Sequence, residues 1–409
     1  MLRRRLLSVP FAVVLALLGL APLGVQGQDA TPAPAPAAPP GTVVASGLTN
    51  PRGFTWGPDG ALYVAMAGSG GTTPATETLE SMAFLSPFFG GTSGAIVRID
   101  NGCPVAVATG LPSTIDAMGE ILGAEDVAFL GGQMYAAADG GGATHGNPDL
   151  PSGIYKVGSD GSVSVVADLS AWLRANPVAT KPADYDPDAD GYRMVADEAA
   201  GALWVLEPNS SGLLKVTPDG TVTRVADLSK DHPVPSAIAL APGGGVYIGN
   251  LTAVPFPDGA AKIIKVTADG TVSDVWTGLT VVTGVAVGAD GTLYASEMST
   301  GNLSQPPFLT FGTGKVVKMT GPSTSEEVAS GLMLPVSLGI GPDGGLYVGS
   351  PAIGANGGEG VIIRLDVPGM GTPSAESATA PAAACTPVAG TTGPAQAPVS
   401  GSPVASPSA

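Results

Sequence analysis

Two adjacent carboxylates, Glu125 and Asp126, are the side chains of this chain best placed for acid–base or cation chemistry. They begin one of six similar segments, and the segments before and after it begin near Arg52 and Arg193. Guanidinium groups beside paired carboxyls shift the carboxyl pKa values, which suits a general acid and base or a cation site. The alternative is a structural cluster of ion pairs, which we favour because structural networks also perturb pKa values.

A second candidate is the acidic loop Asp186-Pro-Asp188-Ala-Asp190-Gly191. It matches the first half of a calcium loop, D-x-D-x-D-G, whose spacing puts three carboxylates on one side of a tight turn. The twelfth position is Asp197, but the residues before it resemble a strand, which would carry Asp197 away from the loop. The pattern predicts either a calcium site formed by the three aspartates or a solvated acidic loop.

The two histidines and several phenylalanines lie in predicted loops. His145 and His232 could each act as a general base or a metal ligand, and the alternative is that both are incidental surface residues. Phe256 belongs to a group of loop phenylalanines that would form an apolar binding surface or fold back onto the domain. The others are Phe84, Phe88, Phe89, Phe308 and Phe311. No Ser, Cys or Thr stands in a recognisable nucleophile motif, which favours binding over catalysis.

A sequence motif repeated six times, which we call the phrase, must form the scaffold that positions these side chains. Each copy has a short apolar run, a Gly-centred turn and a second run with an aromatic residue: Tyr63, Tyr135, Trp204, Tyr247, Tyr294 or Tyr347. Two further runs follow, in which Val and Ile alternate with Thr, Ser and Lys, as in half-buried strands. Asp-Gly between runs, as at Asp219-Gly220, favours a hairpin. Four antiparallel strands in each of six units predict an all-β, six-bladed β-propeller.

The N-terminal strand is predicted to close the ring. The sixth unit ends near Pro368 without a fourth strand, whereas residues 42–48 (TVVASGL) resemble the fourth strands of other units. We therefore expect this strand to complete the last blade, which removes an open sheet edge. The alternative, a β-sandwich of irregular strands, does not explain six copies in register.

The two ends of the chain differ from the repeats. Residues 1–27 carry three arginines, an apolar stretch and small residues, which predicts a cleaved signal peptide, with an uncleaved membrane anchor as the alternative. Residues 28–41 resemble an Ala/Pro-rich linker, and we expect residues 369–409, rich in Pro, Ala, Ser and Thr, to be a disordered tail. The net charge of −17 argues against nucleic-acid binding and fits a secreted protein, which we expect to be monomeric.

The chain has two cysteines, Cys103 in a turn of the first unit and Cys385 in the tail. In an exported protein an even count permits a disulfide between them. Two free or intermolecular thiols are the alternative. The sequence has no Cys/His spacing of a structural zinc site.

Loop lengths predict which face carries function. In a blade with strands a to d, the a–b and c–d turns lie on one face, and the b–c and d–a connections lie on the other. Here the first group is short, whereas connections such as 66–93, 139–152 and 297–313 are long. We expect a ligand on the long-loop face, near the mouth of the central channel. Candidate ligand-binding residues are Arg52, Glu125, Asp126, Arg193, His145, His232 and Phe256.

The repeated phrases resemble NHL-type repeats, and the order of motifs resembles the ScyD/ScyE family of secreted propellers. The segments that carry the resemblance are VVASGLTNPRGFTWGPDGALYVA (43–65), GAEDVAFLGGQMYAA (123–137), VPSAIALAPGGGVYIGNLTAVPFPDGAAKIIKV (234–266) and LPVSLGIGPDGGLYVGS (334–350). The resemblance covers about residues 42–368 and implies export and a propeller, without an established catalytic set. The family pattern has a His where Glu125 stands here.

We therefore predict a secreted binding or scaffold module for a small apolar molecule or an extracellular protein. The alternative is a calcium-dependent hydrolase, because gluconolactonase-like and paraoxonase-like propellers bind calcium in the channel through Glu, Asn and Asp. Asn50, Glu125 and Asp126 are available for that role. A quinone-dependent sugar dehydrogenase is less favoured: the phrase NPRGF…GPDGALYV is similar, but the His and Arg residues it needs are scarce on this face.

Overall fold

The computed structural model describes residues 40–371 and 385–391, which form a six-bladed β-propeller of antiparallel blades. The all-β prediction is therefore confirmed. Strand β1 (Gly41–Leu48) precedes the first blade, which contains β2 (Pro51–Trp56), β3 (Leu62–Met66), β4 (Thr73–Pro74), β5 (Phe89–Asp100), β6 (Cys103–Ile115) and β7 (Ile121–Leu122). The second blade contains β8 (Ala124–Leu130), β9 (Gln133–Ala138), β10 (Gly153–Val157) and β11 (Val163–Asp168). The third contains β12 (Arg193–Asp197), β13 (Ala202–Glu207), β14 (Gly212–Val216) and β15 (Val222–Asp227).

The fourth blade contains β16 (Pro235–Leu240), β17 (Val246–Asn250), β18 (Ala261–Val266) and β19 (Val272–Leu279). The fifth contains β20 (Val282–Val287), β21 (Leu293–Glu297), β22 (Gly314–Gly321) and β23 (Thr324–Leu332). The sixth contains β24 (Ser337–Ile340), β25 (Leu346–Ser350) and β26 (Gly360–Leu365). Strands β2, β8, β12, β16, β20 and β24 contact one another in turn and are therefore the innermost strands, around the central channel.

The N-terminal strand completes the sixth blade. Strand β1 pairs antiparallel with β26, with Val43 opposite Ile363 and Leu48 opposite Gly360. The sheet order is β1-β26-β25-β24, so the edge that the sixth blade would otherwise expose is covered. The predicted closure is confirmed, and the strand begins at Gly41, one residue before the predicted boundary.

In four blades the second strand carries its aromatic residue opposite Ala or Gly of the first strand, whereas Tyr63 lies opposite Thr55 and Trp204 opposite Val195. Ala128 pairs with Tyr135, Ala239 with Tyr247 and Gly339 with Tyr347. The small partner leaves room for the ring, which packs between neighbouring blades. Apolar side chains of consecutive blades form the core in this way, and the third and fourth blades share Trp204, Leu206, Val246, Ile248 and Ile264.

Two connections contain more regular structure than predicted. The β5–β6 hairpin of the first blade continues beyond the blade, because residues 89–91 and 113–115, predicted as loop, pair with each other. A 3₁₀ helix (Glu80–Leu85) precedes this hairpin, and a helix α1 (Leu169–Ala175) follows the second blade. The carboxylate of Asp168 caps α1 by accepting a hydrogen bond from the backbone N–H of Ala171 at 2.7 Å.

Within the predicted tail, residues 385–391 lie against the seam between the sixth and first blades. Cys385 forms a disulfide with Cys103, with 5.4 Å between the Cα atoms. Val388 is buried among apolar residues of both blades, and the Thr391 hydroxyl lies 3.3 Å from that of Thr49. The predicted signal peptide, most of the predicted linker and the rest of the predicted tail lie outside the described residues. No helix in the described ranges is long and apolar enough to cross a membrane.

Candidate functional site

The starts of the innermost strands form a polar neck in the central channel. In β2 and β8, Arg52 and Glu125 form a buried ion pair, with Arg52 Nε 3.0 Å from Glu125 Oε2. The other guanidinium nitrogens of Arg52 donate to the carbonyls of Ala352 and Ile121. Glu125 Oε2 makes no hydrogen bond beyond this ion pair, but Oε1 also accepts from the backbone N–H of Gly123. The charges of Arg52 and Glu125 therefore compensate each other.

Arg193 of β12 spans the neck from the third blade to the sixth. Its Nη2 donates to the carbonyl of Val336 at 2.7 Å, and its Nη1 donates to a carbonyl of the second blade. Asp126 lies beside it, buried, and accepts from two backbone N–H groups, including that of Met194 at 2.9 Å. Burial raises the pKa of Asp126 to about 6, although the charge of Arg193 and these hydrogen bonds oppose the increase.

Three hydroxyl groups continue the neck around the ring. Each donates to a backbone carbonyl of the next blade: Ser236 to Val282 at 2.6 Å, Thr283 to Pro335 at 2.8 Å and Ser337 to Arg52 at 2.8 Å. The sequence predicted that four charged residues at the starts of innermost strands lie close together, and the structure shows this arrangement for Arg52, Glu125, Asp126 and Arg193. Their polar groups bond mainly to other parts of the protein, which is the arrangement of a structural ring that ties blades together.

His145 lies above the second blade and is 1% exposed. Its Nδ1 is 2.8 Å from the carbonyl oxygen of Gly141, and its Nε2 is 3.3 Å from Oδ2 of Asp186. Both partners are acceptors, so both ring nitrogens must carry protons. Burial alone would lower the pKa of His145, but the hydrogen bond and charge of Asp186 and the charge of Asp139 raise it to about 9. His145 is therefore a buried cation whose nitrogens are both engaged as donors.

Two aspartates of the predicted calcium loop have partners of their own. Asp186 faces His145, and Asp188 forms an ion pair with Arg174 of α1. Thr144 connects them, because its hydroxyl donates to Oδ1 of Asp186 at 3.0 Å and to Oδ2 of Asp188 at 2.8 Å. No group of three or more His, Cys, Asp or Glu in the described ranges could hold a metal ion as arranged. The calcium site stays a prediction, and Asp190 remains its one aspartate without a cationic partner among the described residues.

Three carboxyl groups of the second and third blades, which we call the acidic wall, lie on the long-loop side of the neck; two are buried and that of Asp190 is half-buried. They are Asp139 after β9, Asp190, and Glu207 at the end of β13, and among described residues none of them forms an ion pair. Burial raises the pKa of all three, that of Asp139 to about 7, and the charges of Asp139 and Glu207 raise that of Asp190 further. Burial and Asp116 likewise raise the pKa of Glu120, which is half-buried, to about 7.

The fourth, fifth and sixth blades give the mouth an apolar side, which we call the apolar wall. Its half-buried members are Leu251, Phe256, Leu309 and Ile353, over the buried residues Val281, Met298, Leu334, Val336 and Ala352. More exposed apolar side chains in the same loops are Val254, Leu303, Phe311 and Met333. The carbonyls of Val336 and Ala352 accept hydrogen bonds from the two neck arginines. The apolar wall therefore borders the neck directly.

The remaining predicted residues have different surroundings. His232 Nε2 lies 2.9 Å from Oδ1 of Asp184, and its Nδ1 lies 2.9 Å from the hydroxyl of Ser211. Phe88 folds back onto the His145 ring, with 5.2 Å between ring centroids, whereas Phe84 is half exposed. The two histidines therefore belong to separate ion pairs and do not form a common site.

The residues that a calcium-dependent hydrolase would use do not fit a calcium ion as arranged. The amide nitrogen of Asn50 donates to the carbonyl of Gly68 at 2.8 Å and to Asn356, and its oxygen accepts from the backbone N–H of Ala355 at 3.0 Å. Glu125 is paired with Arg52. The amide and carboxylate oxygens that would bind the ion are thus used within the protein.

Sequence reasoning missed Asp139 and Glu207, although a signal was present. The second strands of five blades end in, or are followed by, a polar or acidic residue, in YAAAD, WVLE, YIGN, YASE and YVGS. In the fourth and fifth blades these residues bond to the start of the third strand of their own blade. Asn250 accepts a hydrogen bond from the backbone N–H of Lys262 at 2.8 Å, and Glu297 forms an ion pair with Lys315 at 3.0 Å. In the second and third blades the equivalent carboxyls form most of the acidic wall.

Comparisons with known proteins give the fold. No family model matches the chain, and no curated protein matches it. A solved structure of a candidate oxidoreductase (glucose dehydrogenase) from Thermus thermophilus is 15% identical, with a TM-score of 0.50 over 79% of this chain and 98% of that one. The aldose sugar dehydrogenase of Streptomyces coelicolor, bound to PQQ, is 12% identical, with a TM-score of 0.47 over 80% of this chain and 99% of that one. The calcium-binding protein regucalcin of Agrobacterium tumefaciens is 16% identical, with a TM-score of 0.44 over 80% of this chain and 93% of that one. At these identities the likeness shows the fold alone, a β-propeller.

Proposed function

We propose that this protein is an exported binding module whose ligand lies at the mouth of the ring, between the acidic wall and the apolar wall. The observation that carries the proposal is that the loops around one mouth hold both Asp190, a half-buried carboxyl without a cationic partner among the described residues, and exposed apolar side chains such as Phe311. Such a mouth suits an amphipathic ligand with an apolar body and a basic group, because each part meets a complementary surface.

Binding is favoured over catalysis by the state of the ionisable groups. His145 donates from both nitrogens and has no lone pair to accept a proton. Glu125 and Arg52 neutralise each other in the neck. Glu120 and Asp190 are half-buried, and a bound cation would offset the burial and the neighbouring carboxyl charges that raise their pKa values.

Export and family membership are part of the proposal. The apolar N-terminal stretch and the net charge of −17 support export. The resemblance of residues 42–368 to the ScyD/ScyE propellers supports the same location. A disulfide between Cys103 and Cys385 is consistent with an oxidising compartment.

Calorimetric titration with octylamine tests the binding proposal. We expect saturable binding that weakens at least tenfold in Asp190→Asn, which removes one charge of the acidic wall. The matched control is Asp274→Asn, because Asp274 is an exposed aspartate of the fourth blade that pairs with Lys262. Equal affinity in all three proteins, or no saturable binding, would overturn the proposal.

A calcium-dependent hydrolase remains the second candidate function. The observation that favours it is the charge of Asp139 and Glu207 near Asp190, which a divalent cation would also offset, although as arranged these carboxyls do not form a metal site. Elemental analysis of the purified protein and thermal melting with and without a chelator separate the two candidates. Stoichiometric calcium, with a melting temperature that falls in chelator, would support the hydrolase, whereas no metal and an unchanged melting temperature would support the binding module.

A further inference from the structure

A cavity of about 320 Å³ occupies the centre of the ring on the short-turn side of the neck. The innermost strands of all six blades line it, from the neck at one end to the a–b turns at the other. Its volume is at the lower end of the range of small-molecule pockets, about 300–1,000 Å³. The cavity is therefore large enough for one small molecule and is separate from the mouth discussed above.

Each blade contributes one apolar side chain to a girdle around this cavity. The six residues occupy the same position of the repeat, the second position of the innermost-strand phrase: Phe54, Val127, Met194, Ile238, Val285 and Leu338. At the third position four blades carry Ala or Gly opposite the aromatic residue of the second strand, such as Ala128 opposite Tyr135, so this position contributes little apolar surface in those blades. The repeat thus produces a continuous apolar ring around the channel.

The end of the cavity next to the neck, which we call the ceiling, is formed by Asp126 and Arg193 and has no unpaired charge. Arg193 crosses it and donates to carbonyls of two other blades, and Asp126 accepts from two backbone N–H groups beside it. The equivalent positions of the other blades are Gly53, Ala237, Gly284 and Ser337, which leave space beside the two charged groups. A charged ligand would lose its hydration here without gaining a free counter-charge. A neutral hydrogen-bonding group is the better match.

Aromatic side chains flank the open end of the cavity. Trp56 and Phe129 line it there, and both are half-buried. The Trp56 ring packs edge-to-face against Phe54 and Tyr347, with centroid distances of 5.6 and 5.0 Å. A flat aromatic ring can add to this arrangement by stacked or edge-to-face contacts, which are favourable beyond the burial of apolar area.

We propose that this cavity binds a small neutral aromatic molecule with one hydroxyl-type group, which points at the Asp126–Arg193 ceiling while its ring lies in the apolar girdle. The molecule enters from the short-turn face, because the neck closes the other end. This site does not depend on the acidic wall or on the function proposed for the mouth.

Calorimetric titration with three naphthalenes of matched shape tests the proposal: 2-naphthol, 2-naphthoate and 2-naphthylmethylammonium. We expect one saturable site for 2-naphthol, with at least tenfold weaker binding of both charged analogues. Val285→Phe fills the girdle and should abolish binding, whereas Val272→Phe, at an exposed position of β19, should leave it unchanged. The Asp190→Asn variant should also bind 2-naphthol normally, so that failure of this site and failure of the mouth site are distinguishable.

A second measurement covers the case in which Val285→Phe fails to fold. In the unsubstituted protein, bound 2-naphthol should give nuclear Overhauser effects to the methyl groups of Ile238 and Leu338. Absence of saturation, unchanged binding by a folded Val285→Phe protein, or contacts only to residues outside the girdle would overturn the proposal.

Discussion

Replacement of His145 should remove most of the alkaline pH dependence of stability. The pKa of this imidazole is raised from 6.5 to about 9 in the folded protein. A group whose folded pKa is raised stabilises the fold fully below its unfolded pKa, and the contribution is lost as the pH rises through the folded value. His145 should therefore stabilise the protein by about 3 kcal/mol at pH 6, a contribution that disappears between about pH 6.5 and 9.

Urea unfolding of the unsubstituted protein and of His145→Gln measures this contribution. At pH 6 the variant should be less stable by about 3 kcal/mol, and at pH 9.5 the difference should shrink to a small fraction of that. His232→Gln is the control, because His232 pairs with Asp184 at a more exposed site, where such pairs contribute about 0–1 kcal/mol. A variant that loses the same stability at both pH values would refute the imidazolium assignment.

Proton NMR tests the same point without a substitution. The chain contains two histidines, so two imidazole resonances can be followed through a pH titration. One should titrate near pH 9 and should disappear from the spectrum of His145→Gln. If neither resonance titrates near pH 9, the interaction with Asp186 does not hold the proton on His145, and the predicted stability profile is wrong.

Three further substitutions test the neck and the seam. Cys385→Ser should cost roughly 2–5 kcal/mol, and reductant should then lower the melting temperature of the unsubstituted protein but not of the variant. Gly53→Ala should cost about 1–3 kcal/mol in urea unfolding, because its Cβ would lie 1.9 Å from Asp126 Oδ1, whereas Gly212→Ala, whose nearest atom is 3.6 Å away, should be close to neutral. Arg52→Met should cost about 3–5 kcal/mol by leaving Glu125 buried without its cation, and adding Glu125→Gln should restore part of that loss, as a double-mutant cycle would show.

The architecture was predictable because it depends on short-range patterns that recur. Alternation over five or six residues specifies each strand, and six copies in register specify a ring. The closing strand was recognisable because residues 42–48 carry the pattern of the fourth strand that the sixth unit lacks. Segment 385–391 was less predictable, since its anchoring by Cys385 and Val388 depends on two isolated residues within a Pro/Ala-rich stretch.

The site was only partly predictable, because its interactions join loops that have no repeat. His145 and Asp186 are separated by forty residues of sequence that include two strands and a helix, and nothing local indicates that they meet. The D-x-D-x-D-G motif gave the correct residue types but not their partners. Arg174, which pairs with Asp188, lies on a helix that the strand pattern did not indicate.

The neck explains how one channel can have two unlike environments. Around a six-bladed ring the innermost strands stand too far apart for ordinary side chains to bridge the centre, so the gap needs long groups with several donors. The guanidinium of Arg193 meets this need, because its planar fork bonds to carbonyls of the second and sixth blades at once. In every blade at least one of the two positions before the girdle carries a polar group of the neck, and the girdle position itself is free to be apolar. A ligand on one side is thereby separated from the charges on the other, which allows the mouth and the central cavity to bind different molecules.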